Sequence, residues 1–287
     1  MIIFSGSQSK KLAEGVSAQD DLEPGVVEVR QFPDSEFYVR ILSGVRGKSC
    51  GVIQSMPDPN NNLVEMLLIL GGLRDCGAKN ITAVVPYLAY ARQDKKFKEG
   101  EAVSARTILG ILDEFSDRII TVNSHFLDNA GRFKPYGIEL ENLDAFPLVA
   151  EYFRDKLKNP VVIAPDKGAV GYAKNAARII DCDFDYLEKT RISDDKVEMS
   201  IKNLDVGGKD ALILDDMIST GGTIIEAARL LRRKGAGSVS AGCVHGLFTK
   251  GLERFRGEVD EIACTDTLET GVSKVGVGEL IARAIPY

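Results

Sequence analysis

Residues Ala211–Arg233 read ALILDDMISTGGTIIEAARLLRR: an apolar run, two acids, a loop of hydroxyls and glycines, then an amphipathic pattern. Ala211–Leu214 has the character of a buried strand, and Ile224–Arg233 places apolar residues at helical spacing. A strand, a short loop and a helix in that order form half of a parallel β-α-β unit, whose ligands bind beyond the carboxyl ends of the strands. Gly221 and Gly222 allow close backbone approach. Ser219, Thr220 and Thr223 supply hydroxyls, and the helix N-terminus adds partial positive charge. The loop suits a phosphate monoester. Asp215 and Asp216 would repel that phosphate, so the same ligand must also carry hydroxyls to donate to them, or a bound Mg²⁺. A sugar phosphate meets both conditions. The bland alternative, a solvated strand end and a plain turn, does not account for the order of the parts.

Outward from this stretch, the runs GVIQS (51–55), ITAVVPY (81–87), RIITVN (118–123), PVVIAPD (160–166) and SVSAGCV (238–244) alternate with helical patterns. The alternation predicts an α/β fold with a mainly parallel sheet. Leu63, Met66, Leu67, Leu70 and Leu73 are predicted to form the buried face of a helix that ends at Gly77. Leu73–Val85, LRDCGAKNITAVV, aligns without gaps on Leu231–Cys243, LRRKGAGSVSAGC. Gly77 falls on Gly235. For a chain of 287 residues, this repeat predicts two similar α/β domains, 1–143 and 144–287, joined near Glu141–Phe146.

The formal charge of −6 argues against a nucleic acid or an anionic membrane as main partner, since both would need a basic footprint, so small molecules or protein are the expected partners. No apolar stretch approaches the length of a membrane span, and the N-terminus lacks a basic region ahead of an apolar run. A cytoplasmic protein is expected. The five cysteines show no C-x-x-C spacing and are expected as reduced thiols, and with only two histidines besides, a zinc site of the common His/Cys type is not expected. The segment RGKS (46–49) ends like a phosphate-binding motif but lacks its first glycine and precedes a strand.

LILDDMISTGGT (212–223) resembles the phosphoribosyl diphosphate motif of type I phosphoribosyltransferases and of ribose-phosphate pyrophosphokinases. FPDSEFYVRI (32–41), VPYLAYARQDKKF (85–97), NSHF (123–126), PDKGAV (165–170) and LEKTR (187–191) occur in the order of the second family. The resemblance covers nearly the whole chain. It implies two type I phosphoribosyltransferase-like domains. It also implies Mg²⁺-dependent transfer of the β,γ-diphosphoryl group of ATP to the 1-hydroxyl of ribose 5-phosphate. A phosphoribosyltransferase is the alternative enzyme, although it would need neither the second domain nor ARQDKK and LEKTR. A non-catalytic regulatory relative is the alternative outside catalysis, although Lys189, Arg191 and His125 are present.

The resemblance implies a role for each matching position. Lys189 and Arg191 stabilise the transition state, at the start of a polar stretch able to act as a lid. Phe32, Asp34 and Glu36 lie in an adenine-binding hairpin that completes the ATP site of a neighbouring subunit, so a homo-oligomer, at least a dimer, is expected. Arg92, Gln93, Asp94 and Lys96 serve ATP phosphates and ribose, and His125 contacts ATP and the metal. Asp166 faces sugar or Mg²⁺. Asp215, Asp216 and the loop Ser219, Thr220, Gly221, Gly222 and Thr223 bind ribose 5-phosphate. Two positions depart from the family pattern: Asn123 stands where an acid is usual, and Ser219 where bacterial members often carry one, as in the shorter archaeal form. His245 is expected in the core.

Overall fold

Two seven-stranded sheets organise the chain. The computed structural model describes residues 1–19, 21–193, 196–201 and 205–285, with the side chains of 189–204 outside the description. The first unit comprises Met1–Asp144, Thr267–Glu269 and Gly276–Tyr287; the second comprises Ala145–Asp266 and Thr270–Val275.

The first unit contains β1 (Ile2–Ser5), α1 (Lys10–Ser17), β2 (Glu23–Pro24), β3 (Val27–Gln31), β4 (Phe37–Ile41), β5 (Ser49–Ile53) and α2 (Pro59–Asp75). It continues with β6 (Asn80–Val85), α3 (Ser104–Phe115), β7 (Arg118–Val122), β8 (Gly131–Phe133) and β9 (Leu140–Leu143). Its sheet runs β2-β1-β5-β6-β7-β9-β8 and is parallel except for the β8–β9 pair. β3 and β4 form a separate antiparallel hairpin.

The second unit contains α4 (Phe146–Arg154), β10 (Pro160–Ala164), α5 (Val170–Ile180), β11 (Asp183–Ser193), β12 (Lys196–Ile201) and β13 (Asp210–Ile218). It continues with α6 (Gly222–Arg233), β14 (Ser238–Gly246), β15 (Glu261–Thr265) and β16 (Ser273–Val275). Its order is β12-β11-β10-β13-β14-β15-β16, parallel except for β11–β12. Central strands such as Val161–Ala164 and Ala211–Leu214 are fully buried, as expected of a parallel sheet covered on both faces. The C-terminal helix α7 (Gly278–Ala284) belongs to the first unit, where it packs on α1. A linear division at 143/144 does not anticipate this return, because the pattern of α7 shows that one face is buried but not against what.

The repeat is carried by individual hydrogen bonds. Gly77 and Gly235 both end a helix in the left-handed region, at φ +81° and +85°. There Ala78 N donates to Leu73 O, and Ala236 N to Leu231 O, each at 3.0 Å. These bonds close the last helical turn, a conformation that favours glycine. Gly47 N donates to Gly77 O as Gly208 N does to Gly235 O, both at 2.8 Å. Ile81 N and Val239 N each donate at 2.7 Å to an aspartate, Asp117 and Asp260, and those acids also pair with Arg74 and Arg232. The two units therefore share one local design.

The buried face of α2 differs from expectation. It comprises Asn62, Glu65, Met66, Ile69, Leu70 and Leu73, while Leu63 and Leu67 are half-buried and Val64 and Leu68 are exposed. The helix is rotated because Glu65 is drawn inward: its carboxylate accepts from Ser7 N, Ser7 Oγ (both 2.6 Å) and Gln54 Nε2 (2.9 Å). No helix of the described residues is long and apolar enough to cross a membrane.

Candidate active site

In the second unit the chain leaves β10 toward β11 on one side of the sheet and leaves β13 toward β14 on the other. The carboxyl ends of β10 and β13 therefore flank the crevice where such sheets bind ligands. Three carboxylates converge there. Asp166 follows β10, with Oδ1 accepting from Gly168 N at 2.9 Å. Asp215 and Asp216 are part of β13, which runs on to Ile218 rather than ending at Leu214. Asp215 Oδ1 accepts from Asp216 N (3.0 Å), and Asp216 Oδ1 accepts from Met217 N (2.8 Å). Burial pushes the Asp215 carboxyl up to about 8, and the carboxylates of Asp216 and Asp166 add to the shift. A hydroxyl donor or a cation would relieve this crowding.

The loop that follows has opposite character. Gly221 caps α6 at φ +80°, which turns the chain sharply into the helix. Among the described residues the amides of Thr220, Gly221, Thr223 and Ile224 have no acceptor, and α6 has no side-chain cap. Four free donors at a helix start form an anion cradle. Thr220 Oγ1 lies 3.5 Å from Gly222 N, and Ser219 and Thr223 carry the other hydroxyls. The structure thus brings Asp166, Asp215, Asp216 and the loop 219–223 into one crevice. The donor set, hard carboxylate oxygens beside a phosphate cradle, fits Mg²⁺ shared with a phosphorylated ligand. Among the described residues no group of three or more His, Cys, Asp or Glu side chains is arranged to hold a metal ion by itself.

Lys189 and Arg191 belong to β11, in register with Met199 and Val197 of β12; their side chains lie outside the described residues.

In the first unit, the loops after β6 and β7 hold the remaining candidates. Arg92 and Lys96 are exposed, and Gln93 and Asp94 are half-buried. Gln93 is occupied in shaping its own loop: Nε2 donates to Lys95 O and Glu101 Oε2, both at 3.1 Å, and Glu101 also accepts from Phe97 N and Lys98 N. The backbone of Asp94 accepts from Tyr136 Oη at 2.5 Å. His125 is exposed just beyond β7. Beside it Asn123 is buried at φ +37°, with Nδ2 donating to Asp144 Oδ1 at 2.9 Å, so its amide is used in holding the turn. His245 is buried in β14.

The hairpin tip, Phe32 to Glu36, is exposed throughout. The Arg30 guanidinium sits 4.9 Å from the Phe32 ring centre and 4.2 Å from that of Tyr38. The tip's hydrogen bonds stay within the hairpin: Phe32 N to Glu36 O, Ser35 N to Phe32 O, and Glu36 N to Asp34 Oδ1. Among the described residues none joins it to 92–96 or to His125.

Sequence reasoning missed the segment 247–255, whose amides and Arg254 hydrogen-bond the carbonyls of residues 218–220. GLERFRG (251–257) offers no local signal to distinguish it from a solvated basic turn.

The chain matches two family models, the N-terminal domain of ribose phosphate pyrophosphokinase over residues 1–115 and the phosphoribosyl transferase domain over 144–272. It is 42% identical to a ribose-phosphate pyrophosphokinase of Methanothermobacter thermautotrophicus, over 98% of each chain. It is also 42% identical to ribose-phosphate pyrophosphokinase 2 of Archaeoglobus fulgidus, over 99% of this chain and 100% of that one. The crystal structure of phosphoribosylpyrophosphate synthetase from Mycobacterium smegmatis superposes with a TM-score of 0.85 at 31% identity, covering 99% of this chain and 97% of the other.

Proposed function

The chain belongs to the ribose-phosphate pyrophosphokinase family, and on that premise we infer that it transfers the β,γ-diphosphoryl group of ATP to the 1-hydroxyl of ribose 5-phosphate, giving phosphoribosyl diphosphate and AMP. In our reading the free amides of Thr220, Gly221, Thr223 and Ile224 and the hydroxyls of Ser219, Thr220 and Thr223 take the 5-phosphate. Asp215 and Asp216 accept from the ribose hydroxyls. One observation carries this assignment: a cradle of unsatisfied donors adjoins a carboxyl pushed up to about 8, so one side of the crevice favours an anion and the other a hydroxyl or a cation. Ribose 5-phosphate presents both.

The 1-hydroxyl oxygen bonds to the β-phosphorus as that phosphorus parts from the α,β-bridging oxygen, which leaves on AMP. Such transfers need charge stabilisation and positioning more than covalent chemistry from the protein. We assign the stabilisation to Lys189 and Arg191, and ATP binding to Arg92, Gln93, Asp94, Lys96 and His125. Asp166, with His125, is assigned to Mg²⁺, which when bound neutralises charge across the phosphates. The domain ending at residue 143 supports ATP and assembly, and the domain beginning at 144 holds the sugar phosphate. The reading extends to a cytoplasmic enzyme.

Phe32, Asp34 and Glu36 complete the ATP site of a second subunit in this reading, supported by an exposed tip that bonds only within its own hairpin. The chemistry is tested by following AMP and phosphoribosyl diphosphate from ATP and ribose 5-phosphate with and without Mg²⁺. Absence of both products from folded protein would refute it. The shared site is tested by refolding Glu36→Ala together with Lys189→Ala. Random pairing makes half of the dimers mixed, each with one intact site, so about a quarter of wild-type activity returns. An inactive mixture, with mixed dimers confirmed by differential tags, places the hairpin in its own subunit's site.

A further inference from the structure

The loop after β13 has two sides, and on the carbonyl side residues 218–220 are all engaged. Ile218 O accepts from Leu247 N (3.0 Å) and Phe248 N (3.1 Å). Ser219 O accepts from Thr249 N (3.0 Å) and Thr249 Oγ1 (3.4 Å), and Thr220 O accepts from Arg254 Nη1 (2.5 Å). Three successive carbonyls are thus held by one segment, residues 247–255. Because each carbonyl and the following amide belong to one rigid peptide plane, fixing the first aims the second. The peptide from Thr220 to Gly221 is fixed by Arg254 alone among the described residues.

The segment is itself built for this contact. Phe255 is 2% exposed and lies so close to Gly221 that a Cβ there would fall 2.1 Å from its ring. Phe248 meets Phe255 edge-on at 5.7 Å while holding φ +45°, a backbone conformation that a bulky residue adopts only under surrounding constraint.

Arg254 stands apart from the arginines near it. Arg229 and Arg232 pair with Glu258 and Asp260, and Arg256 pairs with Glu253. Among the described residues no carboxylate pairs with Arg254, and its Nε is buried without a hydrogen-bond partner. A half-buried cation left unneutralised is costly unless an anion arrives to balance it.

We propose that Arg254 is a positioning residue for the 5-phosphate of the sugar substrate: it holds the Thr220 carbonyl so that the loop amides face the phosphate, and its charge sits behind them. This rests on the reading that the loop 219–223 holds that phosphate. A guanidinium on a peptide carbonyl also polarises the peptide and makes its N–H a better donor.

The test measures ribose 5-phosphate affinity by calorimetry, and steady-state constants for both substrates, in Arg254→Ala, Arg254→Gln, Arg254→Lys and Thr223→Val. Loss of one charge-assisted hydrogen bond predicts that Arg254→Ala weakens ribose 5-phosphate roughly tenfold to a hundredfold. The KM for ATP stays within about threefold and kcat at saturating sugar phosphate within several-fold. Arg254→Lys, which keeps a charged donor, recovers most of the affinity, and Arg254→Gln, which keeps only a neutral donor, does not. Discrimination between ribose 5-phosphate and ribose shrinks in the Ala variant by the same factor as the affinity. A merely structural role would lower Tm and weaken both substrates alike, and that outcome overturns the proposal. So does a Gln variant equal to wild type, which decides the matter even if the Ala variant fails to fold. If Thr223→Val weakens ribose 5-phosphate and no Arg254 variant does, the positioning role falls and the phosphate-loop reading stands. If neither position affects it, both fall.

Discussion

The two units carry the same crevice to opposite ends. In the ladder of each sheet Cys50 pairs with Ile81 as Ala211 pairs with Val239, and Ile81 and Val239 are equivalent positions of the repeat. Counted along the strands, Gln54 and Ser55 of the first unit therefore stand where Asp215 and Asp216 stand in the second. The first crevice is filled by its own side chains. Gln54 donates to the buried Glu65, Ser7 donates to it twice, and Ser55 N donates to Ser9 Oγ at 2.9 Å. Added volume is excluded as well, since a Cβ on Gly6 would fall 2.3 Å from Gln54. In the second crevice the acids crowd one another, and four of the loop amides have no acceptor among the described residues. Polar groups that satisfy one another form structure, whereas polar groups left unsatisfied form a site. One duplicated frame thus yields a closed support and an open pocket through changes at a handful of strand-end positions.

The most disruptive way to break this contrast is Gly221→Ala. The added methyl meets the Phe255 ring and the residue is held at φ +80°, so the loop must move. Ribose 5-phosphate affinity is expected to drop by roughly a hundredfold or more, while ATP binding to the free enzyme stays within several-fold. Calorimetry with each ligand reads this directly; retained sugar-phosphate affinity would remove the loop from the site.

Asp215→Asn has a smaller effect that reads in two ways. The KM for ribose 5-phosphate rises by roughly tenfold or more with little change for ATP, because a hydroxyl acceptor is lost. The same change stabilises the ligand-free protein at neutral pH. The folded carboxyl titrates near 8 and the unfolded one near its ordinary value of 3.8, so the folded state binds the extra proton between them. The contribution to stability is full below the lower value and is lost as pH rises through the window to the upper one. The asparagine variant lacks that slope, so its advantage in Tm is several degrees at pH 7 and vanishes toward pH 4. A constant difference across this range would show that Asp215 titrates normally.

Glu65→Gln is the smallest change and the complement of the others. A neutral amide can replace one acceptor of Glu65 but turns the other into a donor facing Ser7 or Gln54. Stability is expected to fall by about 1–3 kcal/mol, with kcat and the KM for ribose 5-phosphate unchanged. Chemical denaturation and steady-state kinetics on the same preparation separate the two. A selective loss of sugar-phosphate use would mean that the first crevice is also a site.

The rotation of α2 shows where local reading ends. Leu63 and Leu67 suit a helical apolar stripe as well as Ile69 does. The face was decided instead by Ser7 and Gln54, which follow the ends of β1 and β5 and turn an acid inward. The acid pair shows the reverse. Asp215 and Asp216 were legible because strand, acids, glycines and helix are contiguous, and the structure altered only the strand's end, from Leu214 to Ile218. The nearness of Asp166 to Asp215 was not legible locally, since Asp166 follows β10 and Asp215 belongs to β13, strands distant in sequence that the β10–β13 pairing brings side by side.

The sequence by itself determined the alternation of strands and helices, the repeat around Gly77 and Gly235, and the acid–glycine loop, because each is written in neighbouring residues as periodicity or turn chemistry. The tertiary structure alone decided which crevice closes and which stays open, that α7 returns to the first unit, and that the carbonyls of 218–220 are held by residues 247–255. Those outcomes depend on which polar groups meet across distant segments. A side chain's donors and acceptors are fixed by its type, but whether they are spent within the fold or left for a ligand is fixed only by the partners the fold brings to them.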